Sequence, residues 1–225
     1  MTADPDSRFT LQAALGLSWS QSLFVGQYNL VVDAVSDFWY LSAMSVLLRE
    51  GGLESLDEQL VITPVGGATK AAYVGTIMHA QKRHVAVLLD SSKEGKSAYE
   101  QLVHHWIVEA RNVLMLSEVM GVAEQRTLED LFDENYYMSH VNAAYLKELG
   151  GKPMSLPPGK RGIVERIEGA MKAKGIEKFN RARVSKRIIE ELPRKKFADI
   201  SKETIKNFQM VISAINKCVV AWKKA

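Results

Sequence analysis

Four short apolar runs, each leading into a stretch of helical character or length, constrain this chain more than any other feature. They are Tyr28–Asp33, Gln59–Pro64, His84–Asp90 and Asn112–Leu116. Runs this short, punctuated by glycine, proline, aspartate or serine, read as strands. His84–Asp90 (HVAVLLD) is apolar nearly throughout, which suits a parallel strand buried on both faces. The stretches between, at about 36–50, 69–80 and 95–107, have the length of helices. Strands alternating with such helices build βαβ units with right-handed crossovers. The expected class is therefore α/β, a four-stranded, mainly parallel sheet flanked by helices. Ser36 is expected to cap the first helix and Gly51–Gly52 to end it. After Gly121 the strands stop. A helical region runs from Glu129 to about Leu149, then a loop (PMSLPPG, 153–159), then helices at about 160–173, 181–192 and 201–223. The expected divisions are 1–26, a linker or docking segment; 27–125, the α/β domain; and 126–225, a helical, basic extension. Trp39, Trp106 and Trp222 are expected in the core, and Tyr136 and Tyr137 in packing roles.

Charge divides the chain more sharply than its total of +3 suggests. Residues 1–150 carry 10 Lys and Arg against 19 Asp and Glu, whereas residues 151–225 carry 19 against 7. A basic part joined to a carboxylate-rich part fits a polyanion held beside a metal site, or two parts that attract each other. The one cysteine, Cys218, cannot form an internal disulfide and is expected to pack on the last helix. The five histidines show no zinc-ligand spacing with it. The first residues are polar and acidic rather than a signal peptide, and no apolar run approaches the roughly 20 residues that span a bilayer. The chain is read as soluble and cytoplasmic, with no membrane partner. Phe9–Val25 is amphipathic and weakly helical, and so much early apolar surface suggests docking on the domain or on a partner.

Carboxylates mark the strand ends. Asp33 closes the first run and Asp37 follows in the first turn of the next helix. Asp90 closes the third run, and Glu94 lies four residues on, again at a helix start. Ligands of open α/β sheets bind outside the carboxyl ends of the strands, and carboxylates there suit a hard cation such as Mg²⁺. Gly66–Gly67 falls at the same edge after the second run, where a backbone could approach a phosphate closely, or simply turn. Asp33 and Asp90 read equally as strand-terminal turn residues, and Asp37 as a helix-dipole complement.

Taken together, "VVDAVSDFWYLSAM", "ITPVGGATK", "VAVLLDSSKEGK" and "TLEDLFDENYY" resemble, in order and spacing, the TOPRIM domain of overcoming-lysogenization-defect (OLD) nucleases. The resemblance covers about residues 9–215. It implies that Asp33 and Asp37 lie near metal, with Asp33 catalytic. It implies an aspartate pair, matched by Asp90 and imperfectly by Ser92. It implies an acidic residue in the EDLF motif, matched by Glu129 with Asp130 adjacent, and a late basic residue near the scissile phosphate. Arg181 is the best match for that residue and Lys186 the alternative. Two departures stand out: Asp33 replaces the usual glutamate, and Ser92 replaces a charge. Glu94 is a candidate to compensate.

The resemblance implies a metal-dependent DNA endonuclease, using Mg²⁺ or Mn²⁺, in phage defence or DNA processing. Family members usually carry an ABC-type ATPase domain before this region, and no Walker A sequence occurs here. The expected partners are DNA, an ABC-type ATPase, and a second copy of the chain. The chain is then either a fragment or a stand-alone TOPRIM protein that recruits an ATPase. The rival expectation is a catalytically weakened module that binds DNA or docks on such an ATPase.

Overall fold

The computed structural model describes residues 26–104 and 108–224. Phe9–Val25, His105 and Trp106 lie outside them. The first seven elements are β1 (Tyr28–Val32), α1 (Val35–Glu50), β2 (Leu60–Pro64), α2 (Ala68–Ala80), β3 (His84–Leu89), α3 (Lys93–His104) and β4 (Val113–Met115). The strands form one sheet in the order β2-β1-β3-β4, and every pairing is parallel. The class is α/β. Pro64, which cannot donate to a ladder, is tolerated because β2 is an edge strand. β4 is shorter than expected. Asn112 ends a 3₁₀ turn, and Leu116 opens the short helix α4 (Leu116–Val119).

The pleat sorts the strand residues into two cores. Leu30, Val32, Ala86 and Leu88 face one side; Val31, Val85, Val87 and Leu89 face the other. The second side is covered by α2 and α3 through Ala71, Val74, Met78, Ala98 and Leu102. The first is covered by α1 and by the C-terminal helices α5 (Glu134–Ala144), α6 (Ile163–Ala173), α7 (Arg181–Glu191) and α8 (Lys202–Lys223). Tyr137, Ile167, Ile188 and Phe208 share one core with the strands. The C-terminal extension is thus the layer that closes the sheet and overhangs its rim. Cys218 is buried on α8 and Trp222 packs near its end. Among the described residues, no helix is long and apolar enough to cross a membrane.

Two expectations on α1 fail for local reasons. Ala34, not Ser36, is the N-cap: its N–H donates to the Asp37 carboxylate at 2.8 Å, so the helix starts two residues earlier than a Ser36 cap would put it. Trp39 is not in the core but 45% exposed, because the buried stripe runs through Tyr40, Leu41, Met44, Leu47 and Leu48. Gly51–Gly52 ends the helix as expected. Gly52 has φ +70°, and the Leu53 N–H reaches back to the Leu48 carbonyl at 2.9 Å.

Candidate active site

The parallel register brings the strand ends together. Val32 pairs with Leu88, so Asp33 and Asp90 emerge from neighbouring strands at nearly the same height. Asp37 enters from the first turn of α1, and Glu129 from the 3₁₀ turn Leu128–Leu131. That turn is tied to the rim, because the Ser91 N–H donates to the Arg126 carbonyl at 2.8 Å. Asp37 and Asp90 are buried and Glu129 is 0% exposed; Asp33 is half-buried.

Arg181 reaches into this group. Its Nε donates to Glu129 Oε1 at 2.9 Å and its Nη2 to Oε2 at 2.5 Å, a fork-on-fork pair. Nη2 also reaches Asp90 Oδ2 at 3.4 Å. Arg181 is the first residue of α7, and its placement is fixed from behind. The Asn180 side chain caps the helix through the Ala182 N–H at 3.0 Å, and the Tyr145 hydroxyl accepts the Asn180 N–H at 2.6 Å. Tyr145 was not singled out in the sequence; nothing local marks a tyrosine 36 residues upstream as an anchor for the arginine's backbone.

Four carboxylates around one guanidinium leave negative charge in excess. Burial raises the pKa of Asp33, opposed by Arg181 and the Gly67 N–H. Burial, then the charges of Asp90 and Glu129, hold Asp37 well above the usual carboxylate range. Burial raises Asp90 to about 7, with Glu129 and Asp33 adding and Arg181 opposing. Burial works against the Arg181 charge, but Glu129 and Asp90 outweigh it and keep the guanidinium charged. Such a cluster favours the uptake of a proton or another cation.

Other expected site residues fall elsewhere. Lys186 is exposed and approaches Glu190 at 4.0 Å; five residues from Arg181, it lies on the far side of α7. Glu94 is exposed in the first turn of α3 and makes no ion pair among the described residues. The Ser92 hydroxyl accepts the Gly95 N–H at 3.1 Å, serving as a helix cap. Asp130 closes a capping turn with Thr127 and accepts the Ile163 N–H at 2.7 Å, so it stabilises the fold beside the cluster. Gly66 and Gly67, at φ +75° and +134°, spend their N–H groups on the Asp33 carbonyl, at 2.6 and 3.1 Å. Their positive φ lets the loop clamp Asp33's backbone, rather than leaving those donors free for a phosphate. A cavity of about 540 Å³ lined by Asp130, Lys160, Arg161 and Lys206 carries none of the four clustered carboxylates.

The donors suit Mg²⁺ or Mn²⁺ chemically: all are hard carboxylate oxygens in charge excess. Among the described residues, however, no three acidic, histidine or cysteine side chains stand close enough to coordinate an ion as they are. The Arg181 fork sits between Glu129 and Asp90 and supplies the physical reason. An ion shared by Glu129 and Asp90 would have to displace this guanidinium. Compared with family models, curated proteins and solved structures, the chain matches none.

Charge excess has a measurable consequence for stability. Asp37→Asn replaces a crowded, buried carboxyl by a neutral amide whose oxygen can still accept the Ala34 N–H. It is expected to stabilise the metal-free fold by about 1–2 kcal/mol, as sites built for function often do when neutralised. Urea unfolding at neutral pH measures this. A lower midpoint than the parent would show that the fold depends on the charge.

Proposed function

We propose that the protein is a metal-dependent DNA endonuclease of the OLD TOPRIM type. The observation that carries this reading is the convergence of Asp33, Asp37, Asp90 and Glu129 with Arg181 at the carboxyl edge of a parallel sheet. Asp33, Asp37, Asp90 and Glu129 would hold Mg²⁺ or Mn²⁺. The ion, when bound, would polarise a phosphodiester and lower the pKa of the attacking water. Arg181, a planar fork suited to phosphate oxygens, would neutralise charge growing on the phosphate. The basic residues of 151–225 would grip the DNA backbone without reading sequence. An ABC-type ATPase partner and a place in phage defence or DNA processing follow from the resemblance alone.

The test is nicking of supercoiled plasmid in Mg²⁺ or Mn²⁺. The protein is expected to convert it to open circles, and Asp90→Ala to reduce that to background. Nicking unchanged in Asp90→Ala would reject this site.

Two observations favour a second reading, a non-catalytic DNA-binding or docking module. The Ser92 hydroxyl is engaged as a cap, and Arg181 is lodged where an ion would need room. Under that reading, calorimetry finds no Mg²⁺ or Mn²⁺ uptake, while DNA binding persists and weakens with salt.

A further inference from the structure

A cluster with negative charge in excess repels a polyanion. Arg181 offsets that repulsion from one side of the sheet only, the side that α7 covers. Other cations of residues 151–225 are already engaged: Arg166, Arg183 and Lys195 pair with Glu134, Glu148 and Glu191. Positive charge on the other side of the cluster has to come from the α/β part itself.

Three lysines supply it. α2 and α3 each follow a strand of one parallel sheet, so both begin at its carboxyl edge. They pack side by side on the face away from α7: a Cβ on Gly75 of α2 would meet Leu102 of α3 at 3.5 Å. Lys70 is the third residue of α2, and Lys93 and Lys96 are the first and fourth of α3. Lys70 is rooted beside Asp33. Its Nζ stands 4.0 Å from where a Cβ on Gly66 would lie, and the Gly66 N–H donates to the Asp33 carbonyl at 2.6 Å. Lys93 and Lys96 are rooted beside Asp90. They flank Gly95, which lies hard against the Asp90 carbonyl, and the Lys96 N–H donates to the Ser92 carbonyl at 3.0 Å. All three lysines are exposed, and none makes an ion pair or a side-chain hydrogen bond among the described residues. An ammonium on a flexible stem is a point charge that suits phosphate oxygens without demanding one geometry.

We infer that Lys70, Lys93 and Lys96 contact DNA phosphates and hold the backbone across the carboxylate cluster from the side opposite Arg181. A strand laid over the rim then meets lysines on one side and the guanidinium on the other. The acidic part of the chain thereby takes a share of the grip that its net charge conceals. The inference rests on the proposed binding of DNA, which both readings of the site have in common, and not on cleavage.

The test is binding of a short labelled DNA duplex in EDTA, followed by fluorescence anisotropy at a series of salt concentrations. Lys70→Gln/Lys93→Gln/Lys96→Gln should flatten the slope of log K against log salt by about 2–3 and weaken binding at ~0.1 M salt by about tenfold or more. The control removes as many cations from the opposite, amino edge of the sheet: Arg49 near the end of α1, Lys82 between α2 and β3, and Arg111 before β4. Arg49→Gln/Lys82→Asn/Arg111→Gln, with asparagine at 82 because φ there is +58°, should change affinity by less than about threefold and the slope by less than about 1. Glu94→Gln, in the turn that carries Lys93 and Lys96, should tighten binding. Equal losses in the two triple variants would reduce the effect to net charge and overturn the inference, as would a parent that shows no salt-dependent binding. A Lys70, Lys93 and Lys96 variant that binds like the parent would overturn it too, and leaves Asp90→Ala to decide the nuclease reading. Absence of nicking beside the expected salt slopes would sink the nuclease reading alone.

Discussion

Arg181→Ala is expected to destabilise the fold by about 3 kcal/mol and, on the proposed nuclease reading, to abolish metal-dependent cleavage, while Lys186→Ala five residues on changes stability by less than about 0.5 kcal/mol. The asymmetry follows from what each cation faces. Lys186 is in solvent, near Glu190 at 4.0 Å, and exposed ion pairs contribute little. Arg181 itself keeps 36% of its side chain exposed, so its own desolvation is incomplete. The cost comes from Glu129, which is fully buried and receives both of its described hydrogen bonds from this one guanidinium. Removing the arginine leaves that carboxylate without its cation in a cluster already overfull of negative charge. Lysine at 181 would restore the charge but not the two-pronged contact, so Arg181→Lys should recover part of the stability. Urea midpoints of the three variants decide the matter. An Arg181→Ala midpoint equal to the parent's would show that Glu129 does not depend on this guanidinium.

The same residue shows what a sequence can and cannot announce. Arg181 and Lys186 both lie in a basic run. Choosing between them needs the phase of α7, which is set by the Asn180 cap and the Tyr145 tether. β3 is the most legible strand because a parallel strand buried on both faces leaves a nearly continuous apolar run. The positions of Asp33, Asp37 and Asp90 follow from where the apolar runs stop. Glu129 came from a motif resemblance; only tertiary packing separates it from Asp130, which the turn uses for capping. Trp39 misled because α1 has apolar residues on more than one face, so composition alone did not fix the buried stripe. By resemblance Ser92 reads as a weakened ligand, and its spacing from Gly95 is also that of an ordinary helix cap. Ser92 and Gly95 together support the backbone that carries Asp90.

Gly95→Ala should show how tightly that support is built. Gly95 lies in the first turn of α3, and a Cβ there would stand 1.9 Å from the Asp90 carbonyl oxygen. The obstacle is backbone, so no rotamer change relieves it. Asp90 is held on its other side: the Ser91 N–H donates to Arg126, and the Ser91 hydroxyl accepts the Ser117 N–H at 2.7 Å. Either the start of α3 or the carboxylate at Asp90 must move. Alanine is the better helix former by about 1 kcal/mol, but overpacking costs about 1–3 kcal/mol, and a Cβ 1.9 Å from a backbone oxygen belongs at the upper end, so the clash wins. The expected result is a destabilised protein and, on the proposed nuclease reading, a loss of cleavage larger than the loss of stability, because Asp90 is displaced. Gly169→Ala is the control. It makes the same chemical change inside α6, where an added Cβ meets nothing within 4 Å, and should stabilise the fold by about 0.5–1 kcal/mol. Opposite signs for the two substitutions, read from urea midpoints, would tie the cost at Gly95 to the Asp90 carbonyl rather than to loss of a glycine. Equal signs would show that α3 can shift without disturbing the carboxylate cluster.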